Sequence, residues 1–250
     1  MAKKENYVKA LQKDKKKTAE YYLKSLKKKT EQQKFLEKLL AKRKVESKKF
    51  LIADIACGVG SLSFHLSNIN SFKKSDFYLV DFNPDAIKLA EANLSKPNFK
   101  YFIDSVYSLK TQPSNYFDFV FCWQTLSWLN DPQKALKEII RITKPGGRIF
   151  LSSLFNLNAD VDVFSNVIDY SHNSSKQGMS FSYNTYSAHS VEKWIKPLCK
   201  YYKFHEFIPN VDFKYNGKGL GTYTIKSSKG KRLQISAGML LNWAVLEIKK

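Results

Sequence analysis

Arginine is nearly missing from this chain of 250 residues: Arg43, Arg141, Arg148 and Arg232 stand against 38 lysines. Base and phosphate readers lean on the planar guanidinium fork, so the shortage speaks against a dedicated nucleic-acid reader. Cysteine is scarce as well. Cys57, Cys122 and Cys199 are odd in number and share no metal-ligand spacing, which points to reduced thiols and not to a disulfide framework. His65, His172, His189 and His205 are scattered without a partner pattern, and no structural metal is expected. No apolar run approaches the roughly 18 residues that a membrane span needs. The opening MAKKENYVKALQKDKKK lacks the apolar stretch that a secretory signal places behind its charges. A cytoplasmic location follows as the expectation.

What is present is lysine, aromatic residues and a clear change of texture. The net charge is +20, and residues 1–49 hold seventeen Lys and one Arg against six acids. Such a block can bind nucleic acid or an anionic membrane surface, but lysine is also the default residue of a solvated helix face. The same 49 residues contain no Pro or Gly. Their apolar positions recur at helical spacing: Tyr7, Val8, Leu11; Tyr22, Leu23, Leu26; Phe35, Leu36, Leu39, Leu40. This predicts a helical cap over 1–49 whose apolar stripe packs on the domain formed by residues 50–250.

From residue 50, short apolar runs alternate with helix-like segments. FLIADIA, FYLVDF, NFKYFI, YFDFVFCW and RIFLSSLF read as strands. NPDAIKLAEANL is a helix with Asn83 as N-cap and Pro84 after it, and Asp131 with Pro132 opens DPQKALKEIIRIT the same way. The alternation predicts an α/β fold with a doubly wound, mostly parallel sheet. Residues 156–188 break the pattern, being rich in Asn, Ser, Tyr and Asp, and read as an insertion. HSVEKWIKPLC then reads as a helix, YYKFHEFIP as a strand, GTYTIKSSKGKRLQIS as a hairpin turning at Ser228 to Gly230, and MLLNWAVLEIKK as a closing strand.

The stretch DIACGVGSL (residues 54–62) carries the first chemical signal. In an open α/β sheet, ligands sit beyond the carboxyl ends of the strands, where the turn after strand one lies. Gly58 and Gly60 let the chain turn tightly and let a ligand approach bare backbone. LVDF ends strand two with Asp81, whose carboxylate can accept from both hydroxyls of a ribose. A nucleoside ligand accounts for both features, while Ala56 stands where a dinucleotide site has its first glycine.

Taken together, DIACGVGSL, LVDF, the ID ending at Asp104, YFDFVFCWQTLSWL and KPGGRIFLSS resemble the successive motifs of class I S-adenosylmethionine-dependent methyltransferases over about residues 50–155. The resemblance implies a seven-stranded sheet whose last strand is antiparallel, and S-adenosylmethionine as cofactor. It assigns the methionine end to Asp54 and the backbone of Ala56, Cys57 and Gly58. The ribose goes to Asp81, the adenine face to Phe82, and the adenine amino group to Asp104 with Ser105 and Val106. Cys122 and Trp123 border the sulfonium, and Gln124 borders the acceptor. Tyr21, on the N-terminal helices, is the residue expected to close over the cofactor.

Methyl transfer from a sulfonium is a one-step displacement that rests on alignment more than on acid–base groups. A base matters only for a protonated acceptor; His172 and Tyr186 are the candidates. Acceptor contacts are expected from Asp160, Asp169, Tyr170, Tyr183 and Asn184 of the insertion, whose carboxylates and rings suit an anionic or amine-bearing small molecule. The C-terminal stretch also resembles a bacterial subgroup associated with surface polysaccharides such as capsules. That likeness implies a phosphorylated or nucleotide-linked acceptor that Lys218, Lys231 and Arg232 could meet. An RNA or protein methyltransferase using the basic helices is the alternative.

Overall fold

The computed structural model describes residues 24–42, 48–170, 179–209, 212, 214, 222–236 and 239–250. Its first complete helix, α1 (Glu31–Lys42), begins with a reciprocal cap. The Thr30 hydroxyl accepts from the Gln33 N–H at 3.2 Å, and the Gln33 side chain accepts from the Thr30 N–H at 2.8 Å. Two of the orphan donors of the first turn are thereby satisfied.

Alternation then follows as the sequence predicts: β1 (Leu51–Ile55), α2 (Ser61–Leu66), β2 (Asp76–Asp81), α3 (Pro84–Asn93), β3 (Phe99–Ile103), β4 (Phe117–Trp123), α4 (Pro132–Ile142) and β5 (Thr143–Asn156). The caps fall where expected. Asn83 accepts from the Asp85 N–H and Asp131 from the Lys134 N–H, each with proline at the start of its helix. The KPGG segment is drawn into β5 as an irregularity, because the register shifts between Phe117 and Phe119. The second half adds the hairpin β6 (Asn166–Asp169) and β7 (Met179–Ser182), then β8 (Tyr186–Ser187) and α5 (Ala188–Ile195). It closes with β9 (Tyr201–Phe207), β10 (Thr222–Lys226), β11 (Arg232–Ser236) and β12 (Met239–Lys249).

The central sheet runs β3-β2-β1-β4-β5-β12-β9, parallel as far as β5, with β12 antiparallel to both of its neighbours there. The first residues of β12 pair with β11, which carries β10 as a hairpin beyond the seven strands. Seven strands with an antiparallel β12 match the fold class expected from the sequence.

Burial on both faces explains the near-continuous apolar strands. Ala53, Ile55, Val80, Cys122 and Leu151 face α4 and α5, through Leu136, Ile139, Val191 and Ile195. Ile52, Leu79, Phe121 and Phe150 face the other way, onto Leu62 and Leu66 of α2, Ala90 of α3, and Leu36 and Leu40 of α1. α1 is thus a member of the second core, and the amphipathic spacing in the sequence found its buried face. Asp54, next to last in β1, and Asp81, last in β2, have the side-chain parity of this second face. That places the crevice under α1 and α2.

Candidate functional site

The site is built at the carboxyl ends of β1, β2 and β4. The turn after β1 holds Ala56 at φ 56°, Gly58 at φ 55° and Gly60 at φ 78°, all in the left-handed region. Ala56 occupies this region with a side chain, a costly backbone state of the kind that clusters at ligand sites. The two glycines differ in purpose. A Cβ on Gly58 would meet nothing within 4 Å, so this backbone is open to a ligand. A Cβ on Gly60 would lie 2.5 Å from Leu94 Cδ1 and 2.9 Å from Leu79 Cδ2, so Gly60 serves the packing of the second core and not ligand access. Gly60→Ala should cost about 1–3 kcal/mol of stability from overpacking, besides backbone strain. Gly58→Ala should cost about 1 kcal/mol from strain while weakening cofactor binding. Urea unfolding and calorimetry on both variants check the contrast.

Asp81 holds the turn in place. Its Oδ2 accepts from the Gly58 N–H at 2.9 Å and its Oδ1 from the Asn83 N–H at 2.9 Å. One lone pair on each oxygen remains available, which suits a vicinal diol. Burial pushes the Asp81 carboxyl up, against these backbone donors. Asp54 lies deeper. Its Oδ2 accepts from the Ser63 hydroxyl of α2 at 2.7 Å, and burial raises its pKa to about 7, with the Asp81 charge adding to the shift. Among the described residues, neither carboxylate has an ion-pair partner.

Cys57 lies in the turn beside these carboxylates, whereas Cys122 points into the first core on the other face of the sheet and does not line the crevice as the sequence suggested. Burial pushes the Cys57 thiol well above its usual range and the Cys122 thiol up to about 12, so both stay protonated. Beyond β2 and β3, Phe82 and Ile103 stand exposed where a flat ring could lie between them. Ile103 was missed by sequence reasoning; its exposure at a strand end next to Asp81 in register is the signal that finds it. Asp104 is already engaged: Oδ2 accepts from the Thr111 N–H at 2.6 Å and hydroxyl at 2.8 Å, and Oδ1 from the Ser105 N–H at 2.7 Å. Ser105 in turn accepts from the Tyr107 N–H, and half-buried Val106 packs on the first core.

The N-terminal segment reaches this crevice. Ser25 O lies 3.1 Å from the Ser61 hydroxyl that donates to it and 2.9 Å from His65 Nε2. Gln33 Nε2 donates to Ser61 Oγ at 3.4 Å, and Gln124 Nε2 donates to buried Gln32 Oε1. Gln124 itself sits at φ 54° after Trp123, its N–H donating to Ser152 O at 2.8 Å. The strained residue after β4 is therefore latched to α1. Tyr21 lies outside the described residues.

The insertion corrects several expectations. Tyr186 is 1% exposed; its hydroxyl donates to Leu129 O at 3.2 Å, and burial raises its pKa to about 12. A phenol so placed cannot meet an acceptor, so it is no catalytic base. Asn184 is buried too. It donates to Tyr186 OH at 2.9 Å and accepts from the Ser165 N–H, while its own N–H donates to Ser127 O at 2.7 Å. Both side chains fasten the insertion to the loop after β4, and Asn184 does not bind substrate. Tyr186→Phe should lower stability by about 1–2 kcal/mol and leave cofactor affinity unchanged; thermal melts with calorimetry test this.

Asp162 accepts from the Ser187 N–H and hydroxyl and from the Ser190 hydroxyl at 2.5–2.7 Å, bracing Ser187, which caps α5 by accepting from the Ser190 N–H at 3.2 Å. Tyr183 lies against Trp128, ring centroids 4.5 Å apart. Asp160 and Tyr170 are exposed. The Asp169 side chain, His172 and Lys218 lie outside the described residues. Lys231 and Arg232 meet Glu206 at 3.5 Å and Asp212 at 2.6 Å, acids of the chain itself.

Comparison with known proteins supports the geometry. A family described as "Methyltransferase domain" matches residues 53–151. The chain is similar to the ubiquinone biosynthesis O-methyltransferase of Xanthomonas oryzae pv. oryzae, 30% identical over 105 residues, or 41% of this chain and 42% of that one. The matched stretch thus spans about two fifths of that relative's length. Among solved structures, it resembles the YcgJ protein of Bacillus subtilis at 14% identity and TM-score 0.55, over 86% of this chain and 97% of that one. It also resembles phosphoethanolamine N-methyltransferase 2 of Haemonchus contortus in complex with S-adenosyl-L-methionine, at 16% identity and TM-score 0.56, over 86% and 52%. Residues 53–151 thus match a methyltransferase domain, and the sheet order around them is the fold of the class I S-adenosylmethionine-dependent methyltransferases.

Proposed function

We propose that this protein transfers a methyl group from S-adenosylmethionine to a nitrogen or oxygen of a small acceptor. One observation carries the reading: Asp54 and Asp81 are buried together at an open glycine turn, with no ion-pair partner among the described residues. Buried anions without a counter-charge call for a cationic ligand. Free lone pairs on Asp81 call for one that also carries hydroxyl donors. A sulfonium nucleoside with an ammonium group meets both demands, and Phe82 with Ile103 supplies apolar surface for its base.

When bound, that cofactor supplies an electrophilic methyl group. The chain's own residues then have positional tasks. Asp81 and the backbone of Ala56 to Gly58 fix the nucleoside, and Asp54 answers the positive end. Trp123 and the Gln124–Gln32 latch border the side from which a nucleophile arrives. Holding nucleophile and methyl in line, with water kept out by the latched N-terminal segment, supplies most of the acceleration in such a displacement.

The Xanthomonas relative is matched over about two fifths of either chain, so it supports methyl transfer and leaves the acceptor to experiment. Likeness of the C-terminal stretch to proteins of surface-polysaccharide synthesis supports testing sugar and nucleotide-sugar acceptors first. Lys231 and Arg232 pair with Glu206 and Asp212, which competes with the phosphate contact expected from them. Calorimetry with S-adenosylmethionine is the first test, followed by cofactor-dependent product formation across small amines, sugars and their phosphates. Absence of cofactor binding would overturn the proposal.

A further inference from the structure

The insertion turns several polar side chains inward and several apolar ones outward, although Asp160 and Asn166 are exposed as well. Asp162, Asn184 and Tyr186 are consumed by bracing Ser187 and by anchoring, as described above. Val161 (50%), Phe164 (72%), Ile168 (48%) and Tyr170 (64%) are instead exposed, and they are four of the ten exposed large hydrophobic residues of the described chain. Alternation along the hairpin explains the exposure. Val167 pairs with Phe181, whose ring lies 5.6 Å from Trp128, so this parity faces the domain. Ile168 and Tyr170 are neighbours of opposite parity to that inward face, and they project outward.

The other margin of the same edge is cationic. Ser25 is fastened to Ser61 and His65 beside the glycine turn, and the exposed Lys24, Lys27 and Lys28 flank it. The hairpin is fastened to the loop after β4, where the Ser182 hydroxyl donates to Asn130 at 3.0 Å. One margin is thus fastened beside the turn after β1 and the other beside the loop after β4, both at the carboxyl edge of the sheet. Residues 1–49 add charge of the same sign.

We infer that this edge docks on an anionic lipid bilayer, with the lysines meeting headgroups and Phe164, Ile168 and Tyr170 entering the interface. Stable peripheral attachment takes two signals, an apolar insertion and a polybasic patch, and both are present here. A protein partner would need shape complementarity, whereas lysine charge and dispersed apolar tips suit a fluid surface. The scarcity of arginine disfavours a nucleic acid as the occupant. No helix of the described chain is long and apolar enough to cross a membrane, so the attachment is to the surface. Docking there would bring the crevice to acceptors that reside in or on the bilayer.

The test is sedimentation of the full chain with phosphatidylcholine vesicles, with and without phosphatidylglycerol. Binding is expected only with the anionic lipid. Lys24→Gln/Lys27→Gln/Lys28→Gln should weaken it about a hundredfold, at roughly fivefold per lysine near such a surface. Phe164→Ser/Tyr170→Ser should weaken it about tenfold or more. Both variants should keep the thermal transition and the cofactor affinity of the parent. Ile168→Ser/Tyr170→Ser serves as a second apolar variant should the Phe164 change disturb the contact with Tyr186. Equal binding to neutral vesicles, no binding, or full binding by the apolar variants would overturn the inference, as would displacement from vesicles by single-stranded RNA. Cofactor calorimetry is read separately, so failure here leaves the methyltransferase proposal standing.

Discussion

Asp81→Ala is expected to weaken S-adenosylmethionine binding by about a hundredfold or more, the largest loss of any single change at the crevice. On the proposed assignment two charge-assisted hydrogen bonds to the ribose would be removed, each worth about 1.5–3 kcal/mol. The loss extends to the protein's own backbone, because the Gly58 and Asn83 N–H groups both donate to this carboxylate at 2.9 Å. Without it the glycine turn loses its tether to the end of β2, and the open backbone at Gly58 is no longer held for a ligand. Asp81→Asn keeps one acceptor oxygen and should lose less. Calorimetry on the three proteins orders them, and unchanged affinity in Asp81→Ala would remove the ribose assignment. Secondary-structure content should survive in both variants, since the sheet register at Asp81 rests on main-chain pairing with β3.

The sheet and the backbone frame of the candidate crevice were legible in the sequence because their signals are local. Apolar runs, helix caps at Asn83 and Asp131, and the turn DIACGVGSL each declare themselves within a dozen residues. The antiparallel closing strand came from the family resemblance, and β12 bears it out. What local signals could not show is which polar side chains the fold itself would use. Asn184 and Tyr186 sit among serines and tyrosines that look available. Only contact with Leu129, distant in sequence, withdraws them from chemistry. The same holds for Asp162, which serves the start of α5. Gly60 looked like part of the ligand turn because its neighbour Leu94 cannot be seen from the motif. In α1, helical spacing gave the buried stripe but not its partners, Phe121 and Phe150 across the sheet. Sequence thus marks the backbone frame of a site well and the allegiance of individual polar side chains poorly.

Asp54→Asn is expected to move stability and binding in opposite directions. In the unfolded chain this carboxyl titrates near 3.9; burial in the fold raises it to about 7. Between those values the native state holds the extra proton, so the stability of the empty protein falls as pH rises and then levels above about 7. The full span is on the order of 4 kcal/mol for a shift of about three units. The amide carries no such penalty. Empty Asp54→Asn should therefore be more stable than the parent at pH 8 and closely matched near pH 4, where the parent carboxyl is protonated. Cofactor affinity should behave the other way. A cationic ligand favours the ionised carboxylate, so parental affinity should climb as pH rises towards 7 and then reach a plateau. The variant should bind weakly at pH 8 and show no climb. Ser63 can turn its hydroxyl to accept from the new amide, so the local hydrogen bond is kept and the comparison isolates charge. Thermal melts and calorimetry across this range decide the matter. Equal affinity of the two proteins at pH 8 would show that Asp54 is only a structural partner of Ser63. Lower stability of the variant at that pH would show that its buried charge is already balanced within the fold.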